Sequence, residues 1–245
     1  FHSVADRITI VSEPWAKTLE SIYNKRVEVI FNGFDPADYA DLEKENIFPA
    51  DGKIRIVFTG NLYAKGRVPT VLFEALKELD ELVPEVAQRL EIVFAGLSCF
   101  PESLMNKYKV GKFCVFKGFL PREYALRMQR DAHLLLYIDW SDLSNKGVIG
   151  GKIFEYLFAG PPIICVGGSH ESIASKLITE SRRGVAFGED AKMLMSFLTS
   201  YVNGNVDLKK FVVTDLVTKF SRKNQALKML ELFTDNLNGE VGCEV

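Results

Sequence analysis

Two hydrophobic patterns alternate along the chain. Short continuous runs rich in β-branched and aromatic residues are separated by longer stretches in which apolar residues recur every three or four positions. The first pattern predicts strands buried on both faces and the second amphipathic helices, so their alternation predicts an α/β protein with a parallel sheet. The expected strands are RITIV (7–11), VEVIF (27–31), IRIVFT (54–59), LEIVFA (90–95), KFCVFK (112–117), LLLYI (134–138), PIICV (162–166) and GVAFG (184–188). Leu72, Ala75, Leu76, Leu79 and Leu82 form a helical stripe within 69–82, opposite an acid-rich, solvated face. Similar stripes run through 122–131, 152–159, 171–180, 191–202 and 222–234. Six strands between 54 and 188 are the number expected of a doubly wound, mostly parallel, Rossmann-like sheet.

The opening of the chain follows another plan. A strand, a helix from Pro14 to about Tyr23 with Ser12 as its N-cap, and a second strand ending at Asn32-Gly33 precede the stretch DPADYADLEKENIFPADGK. That stretch is polar, lacks apolar periodicity and carries Pro36, Pro49 and Gly52, so it reads as a linker. The expected division is therefore 1–50 as a strand-helix-strand remnant plus linker, 51–219 as the Rossmann-like domain and 220–245 as a terminal helix and tail.

Composition narrows the partners. With 47% hydrophobic and 25% charged residues the chain can bury a core and is not disordered. Its 30 basic and 32 acidic residues give a net charge of −2, without the basic excess that nucleic acid demands. Cys99, Cys114, Cys165 and Cys243 form no C-x-x-C pair and read as reduced thiols of a cytoplasmic protein; His2, His133 and His170 are too dispersed for a metal centre, so no metal and no cofactor is expected. The longest uncharged stretch, Tyr156 to His170, is too short to span a bilayer. The chain begins with Phe1 inside structured-looking sequence, which suggests a piece of something longer.

Candidate chemistry gathers where the strands end. Gly60, Gly96, Gly118 and Gly167-Gly168 each follow a strand, the edge at which open α/β sheets bind ligands. The loop GNLYAKGR (60–67) lacks the spacing of a Walker A or dinucleotide fingerprint; it carries Lys65 and Arg67 before a helix, as solvated cations or as partners for an anion. Gly150 and Gly151 open the next candidate helix, where free N–H groups could receive a phosphate. Lys152 in its first turn opposes the helix dipole unless an anion lies nearby. Glu155 could complement that dipole or accept the two hydroxyls of a ribose. Asp139, Asp142 and His170, in loops after strands, are either surface residues or contacts to a sugar.

The succession ADRITIVSE, VIFNGFD, VFTGNLYAKG, VFKGFLPREYALRMQRDAHLLL and GGKIFEYLFAGPPIICV resembles the C-terminal, nucleotide-sugar-binding half of group-1 (family 4 type) retaining glycosyltransferases of the GT-B fold. The resemblance implies that Glu155 holds the ribose. It implies that Gly60, Asn61, Lys65, Arg67, Gly150, Gly151 and Lys152 surround the donor diphosphate, and that the loop Gly118, Phe119 and Leu120 meets the base. It further implies hexosyl transfer from a nucleotide-diphosphate sugar in cell-surface polysaccharide or glycolipid synthesis. The sugar or lipid-linked acceptor, and any peripheral membrane contact at the inner face, would belong to a missing N-terminal domain, leaving this fragment inactive alone. The final helix would then cross back with Leu227, Leu230 and Phe233 half buried, or else cover its own sheet. The family often carries another glutamate eight residues before the ribose glutamate; here that position is Gly147. The catalytic residues therefore stay unassigned, and a non-catalytic nucleotide-sugar-binding module or a sugar-nucleotide epimerase on the same fold remain alternatives.

Overall fold

The computed structural model describes residues 5–40, 42–44, 46–62, 67–97, 102–141 and 147–239. Eight strands lie among them: β1 (Ile8–Ile10), β2 (Val27–Val29), β3 (Ile54–Thr59), β4 (Leu90–Ala95), β5 (Cys114–Gly118), β6 (Leu134–Ile138), β7 (Ile163–Val166) and β8 (Gly184–Gly188). The helices are α1 (Glu13–Tyr23), α2 (Ala37–Ala40), α3 (Thr70–Leu82), α4 (Pro84–Ala87), α5 (Glu102–Tyr108), α6 (Arg122–Asp131), α7 (Lys152–Ala159), α8 (Ile173–Glu180), α9 (Ala191–Val202), α10 (Asp215–Thr218) and α11 (Arg222–Gly239). Among the described residues no helix is long and apolar enough to cross a membrane.

The main sheet has the order β5-β4-β3-β6-β7-β8, and every pairing is parallel, where the sequence pattern predicted a mostly parallel sheet. Successive strands are added outward in one direction from β3 to β5 and in the other from β6 to β8, so the crevice that receives ligands in such folds opens beyond Thr59 and Ile138. Alternate residues of each strand serve opposite faces. Ile56, Phe58, Ile92, Phe94, Leu134 and Leu136 join α3 and α9 in one core. Val57, Val93, Leu135, Tyr137, Ile163 and Cys165 join α7 and α8 in the other. That two-sided burial is why the strands lack polar alternation in sequence.

The opening segment forms its own two-stranded parallel sheet, β1 with β2, joined through α1. Ser12 occupies the N-cap position of α1 as expected, but its side chain caps nothing; it is buried without a hydrogen-bond partner. The stretch read as a linker is packed on the main domain. Phe34 and Leu42 are buried, Phe34 stacks on Phe158 with centroids 4.3 Å apart, and α2 forms within the segment. Its apolar residues are too few to show a period, yet Tyr39, Ile47 and Phe48 pack against the core that α6 and α7 help to build. The head of α11 packs back onto the same segment. Phe220 is buried, the Arg222 amide donates to the Phe34 carbonyl (2.8 Å), and Gln225 Oε1 accepts from the Phe31 amide (2.8 Å). Leu227, Leu230 and Phe233 further along α11 are exposed.

Candidate functional site

Three strand ends shape the cleft through their backbones. Gly60, Gly96 and Gly118 have φ of 128°, 138° and 65°, values that side chains other than glycine's rarely tolerate. The Gly60 amide donates to the Ala95 carbonyl (2.6 Å) and the Gly96 amide to the Gly118 carbonyl (2.7 Å), fixing the three turns as a staircase. A Cβ on Gly96 would overlap the Gly60 carbonyl; one on Gly60 would overlap the Lys152 ammonium. The resulting cavity of about 310 Å³ is bounded by the strand-end residues Thr59, Gly60, Asn61 and Gly96, by Phe119 and Leu120, by Arg122 and Gln129 of α6, and by Lys152 and Glu155 of α7.

Helix α7 delivers the two charged groups. Ile153, Phe154, Tyr156 and Leu157 anchor it in the core, and the buried Arg183 donates to the carbonyls of Leu157 (2.8 Å) and Pro161 (3.1 Å), a cation where a helix C-terminus favours one. At the other end Lys152 is largely desolvated, with its Nζ 3.3 Å from Thr59 Oγ1 and 5.9 Å from the Phe58 ring centroid. Burial lowers its pKa from the ordinary 10.5 to about 8; neighbouring Glu155 raises it, while Arg67 and Arg122 lower it further. The Glu155 carboxylate is held at both oxygens, Oε1 by Arg122 Nη1 (3.0 Å) and Oε2 by Gln129 Nε2 (3.2 Å). Arg122 also pairs with Asp38 of α2 (2.5 Å), and the two carboxylates raise its pKa. Tyr39 OH lies 3.2 Å from both Gln129 Oε1 and the Glu155 carbonyl, and burial pushes its pKa up.

Of the residues singled out in sequence, Gly60, Asn61, Phe119, Leu120, Lys152 and Glu155 come together around this cavity. Gly118 is not in the lining and touches it through its carbonyl, which accepts from the Gly96 amide. Lys65 and Asp142 lie outside the described residues, as do Cys99, Cys243 and His2. Arg67 sits apart from the cavity lining: its guanidinium donates to the Ile138 carbonyl (3.0 and 2.8 Å) and lies over the Tyr137 and Trp140 rings. Gly150 and Gly151 form the turn before α7, and Gly151 faces a second cavity of about 530 Å³ between Asn32 and Arg222, which also touches Glu155. Asp139 is neither solvated nor directed at a ligand; it is buried, bonded to the Ser172 hydroxyl and the Trp140 amide, and its pKa is raised by desolvation. His170 is exposed beside Gly188, in a separate surface hollow. His133 is structural, its Nδ1 accepting from the Arg55 amide (3.1 Å). Cys114 and Cys165 are free thiols, with Cys114 pushed up to about 12 by burial.

The sequence reading missed Thr59, Arg122, Gln129, Tyr39 and Asp38. Arg122 left a signal: like Lys152, it is a cation in the first turn of a helix, where the dipole disfavours it without a nearby anion. Gln129 and Tyr39 left none, because their partners lie 26 to 116 residues away.

No family model matches the chain, and no curated protein matches it in sequence. In structure, this sheet and its surrounding helices have the Rossmann-like architecture of GT-B glycosyltransferases. The chain is similar to HepE from Anabaena in complex with UDP and glucose (TM-score 0.67, 14% identity, 96% of this chain and 64% of that one). It is likewise similar to a TarM mutant from S. aureus bound to Fondaparinux, alpha-GlcNAc-glycerol and UDP (0.65, 11%, 95% and 44%). A third is the lipopolysaccharide outer core galactosyltransferase WaaB in its apo form (0.65, 12%, 96% and 63%). The chain thus spans less than two thirds of each of these proteins, and at such identities the likeness is one of fold.

Proposed function

We propose that the cleft binds the nucleoside diphosphate of a nucleotide-sugar donor, and that the protein is a glycosyltransferase of cell-surface polysaccharide or glycolipid assembly, transferring a hexosyl group with retention. The observation that carries this reading is the placement of Lys152 and Glu155 in one helical turn, both facing a cavity at the switch point of the sheet. An ionised carboxylate has about four lone-pair sites. Arg122 and Gln129 use two at Glu155, which leaves acceptor capacity for the two hydroxyls of a ribose. Lys152 supplies the compensating charge for phosphate, and Phe119, 77% exposed at the cavity rim, offers a face on which a base can stack. UDP in the TarM and HepE structures supports uridine as the first nucleoside to try.

Charge developing on the departing diphosphate would be stabilised by Lys152 and by the cation Lys65, electrostatic work that requires neither a protein nucleophile nor a metal. The acceptor, a sugar or a lipid-linked sugar, would be held by a further domain, with the protein cytoplasmic and in reach of the inner membrane face. One observation favours the second reading, a binding module without transferase activity: Gly147 packs directly on the Trp15 indole, which any side chain at that position would have to displace. The test is calorimetric titration with UDP. Glu155→Ala should weaken binding by about 1.5–3 kcal/mol, the range of hydrogen bonds to a charged group, with folding intact; unchanged affinity would remove the ribose role.

A further inference from the structure

Thr59 is the last residue of β3, and its side chain is buried at the floor of the cleft. Its hydroxyl stands 2.9 Å from Gln129 Nε2, 3.3 Å from Lys152 Nζ and 3.4 Å from Tyr156 OH. A hydroxyl has two acceptor lone pairs and one proton. The ammonium and the amide are both donors, so they take the lone pairs and leave the proton for Tyr156. The orientation of Gln129 is equally determined. Glu155 only accepts, so Nε2 faces it and Oε1 faces Tyr39 OH, whose single proton is shared between Oε1 and the Glu155 carbonyl. A valine would fill the same volume, and a buried hydroxyl costs free energy unless its bonds are made.

We propose that Thr59 is a positioning residue that links the two ends of the cleft, orienting Lys152 directly and Glu155 through Gln129, so that the ribose and the phosphate of one nucleotide are bound as a unit. The inference rests on the nucleotide reading above. Its geometric basis is a continuous chain of hydrogen bonds, Lys152 to Thr59 to Gln129 to Glu155, with each link at 3.3 Å or less. Such networks are apportioned by double-mutant cycles.

UDP affinity is measured for the protein and for Thr59→Val, Thr59→Ser, Glu155→Gln and the pairs. Thr59→Val should weaken UDP about tenfold and Thr59→Ser less than about twofold, and in the Glu155→Gln background Thr59→Val should cost less than about threefold. A residue that only stabilises the fold would lower the melting temperature and cost the same factor in both backgrounds; that additivity overturns the proposal. A second measurement needs no ligand. The pH dependence of Lys152 labelling, followed by mass spectrometry, should show the midpoint falling by about half a pH unit in Thr59→Val and holding in Thr59→Ser, because an accepted hydrogen bond favours the ammonium. An unmoved midpoint overturns the link. A midpoint that moves in a protein that binds no UDP upholds the link between the two side chains and discards the nucleotide reading.

Discussion

Two carboxylates at the carboxyl edge of the sheet, Glu155 and Asp139, began as comparable candidates and have opposite surroundings. Asp139 follows β6 inside the protein, with the Ser172 hydroxyl and the Trp140 amide as partners, and Gly168 pressed so close that a Cβ there would crowd its Oδ2. Glu155 lines an open cavity, and one of its partners, Arg122, is half exposed and shared with Asp38. The first acid is spent on structure, tying β6 to the N-cap of α8; the second is held in place with capacity unspent. Exposure of the acid and of its partners separates a structural acid from a binding acid here, where position at a strand end did not.

The largest test is of the staircase that keeps the Glu155 side open. Gly96→Ala forces both a strained φ and an overlap with the Gly60 carbonyl, and should cost about 3 kcal/mol or more in urea unfolding. Next comes the closed side. Asp139→Ala leaves the Ser172 hydroxyl and the Trp140 amide without their acceptor and should cost about 1–3 kcal/mol in stability, with UDP affinity unchanged. A loss of affinity equal to that of Glu155→Ala would erase the contrast between the two acids. Lys152 sharpens it through pH. Its folded pKa, about 8, lies below the ordinary 10.5, so the penalty of burying the ammonium is fully present below pH 8 and is relieved as pH rises from there towards 10.5. Unfolding free energy attributable to Lys152 should therefore rise across that window while affinity for UDP falls across it; Lys152→Met should abolish both slopes. The smallest effect on folding belongs to the exposed rim: Phe119→Ala should change stability by less than about 0.5 kcal/mol, yet weaken UDP by about 1–3 kcal/mol if the base stacks there.

The fold was almost fully legible in the sequence, because a parallel sheet buried on both faces writes itself as uninterrupted apolar runs. All six strands of the main sheet appear where LEIVFA, LLLYI and the others predicted them. The cavity was half legible. Glycines at strand ends and a lysine at a helix start are local anomalies, visible without a partner. Thr59, Gln129 and Tyr39 are ordinary residues in their own segments, and they acquire meaning only when β3, α6 and α2 are brought side by side. The packing of the linker stretch was hidden for the same reason: Tyr39, Ile47 and Phe48 pack against neighbours distant in sequence and follow no local period.

The contact between Trp15 and Gly147 bears on the history open to this chain. An acid at position 147 would have to displace the Trp15 indole of α1, since even its first carbon would overlap that ring as it stands. A smaller residue at 15, or a turned indole, would make room for a glutamate there, so the two positions are energetically coupled. Two residues 132 positions apart thus share one volume, and what either can become depends on the other.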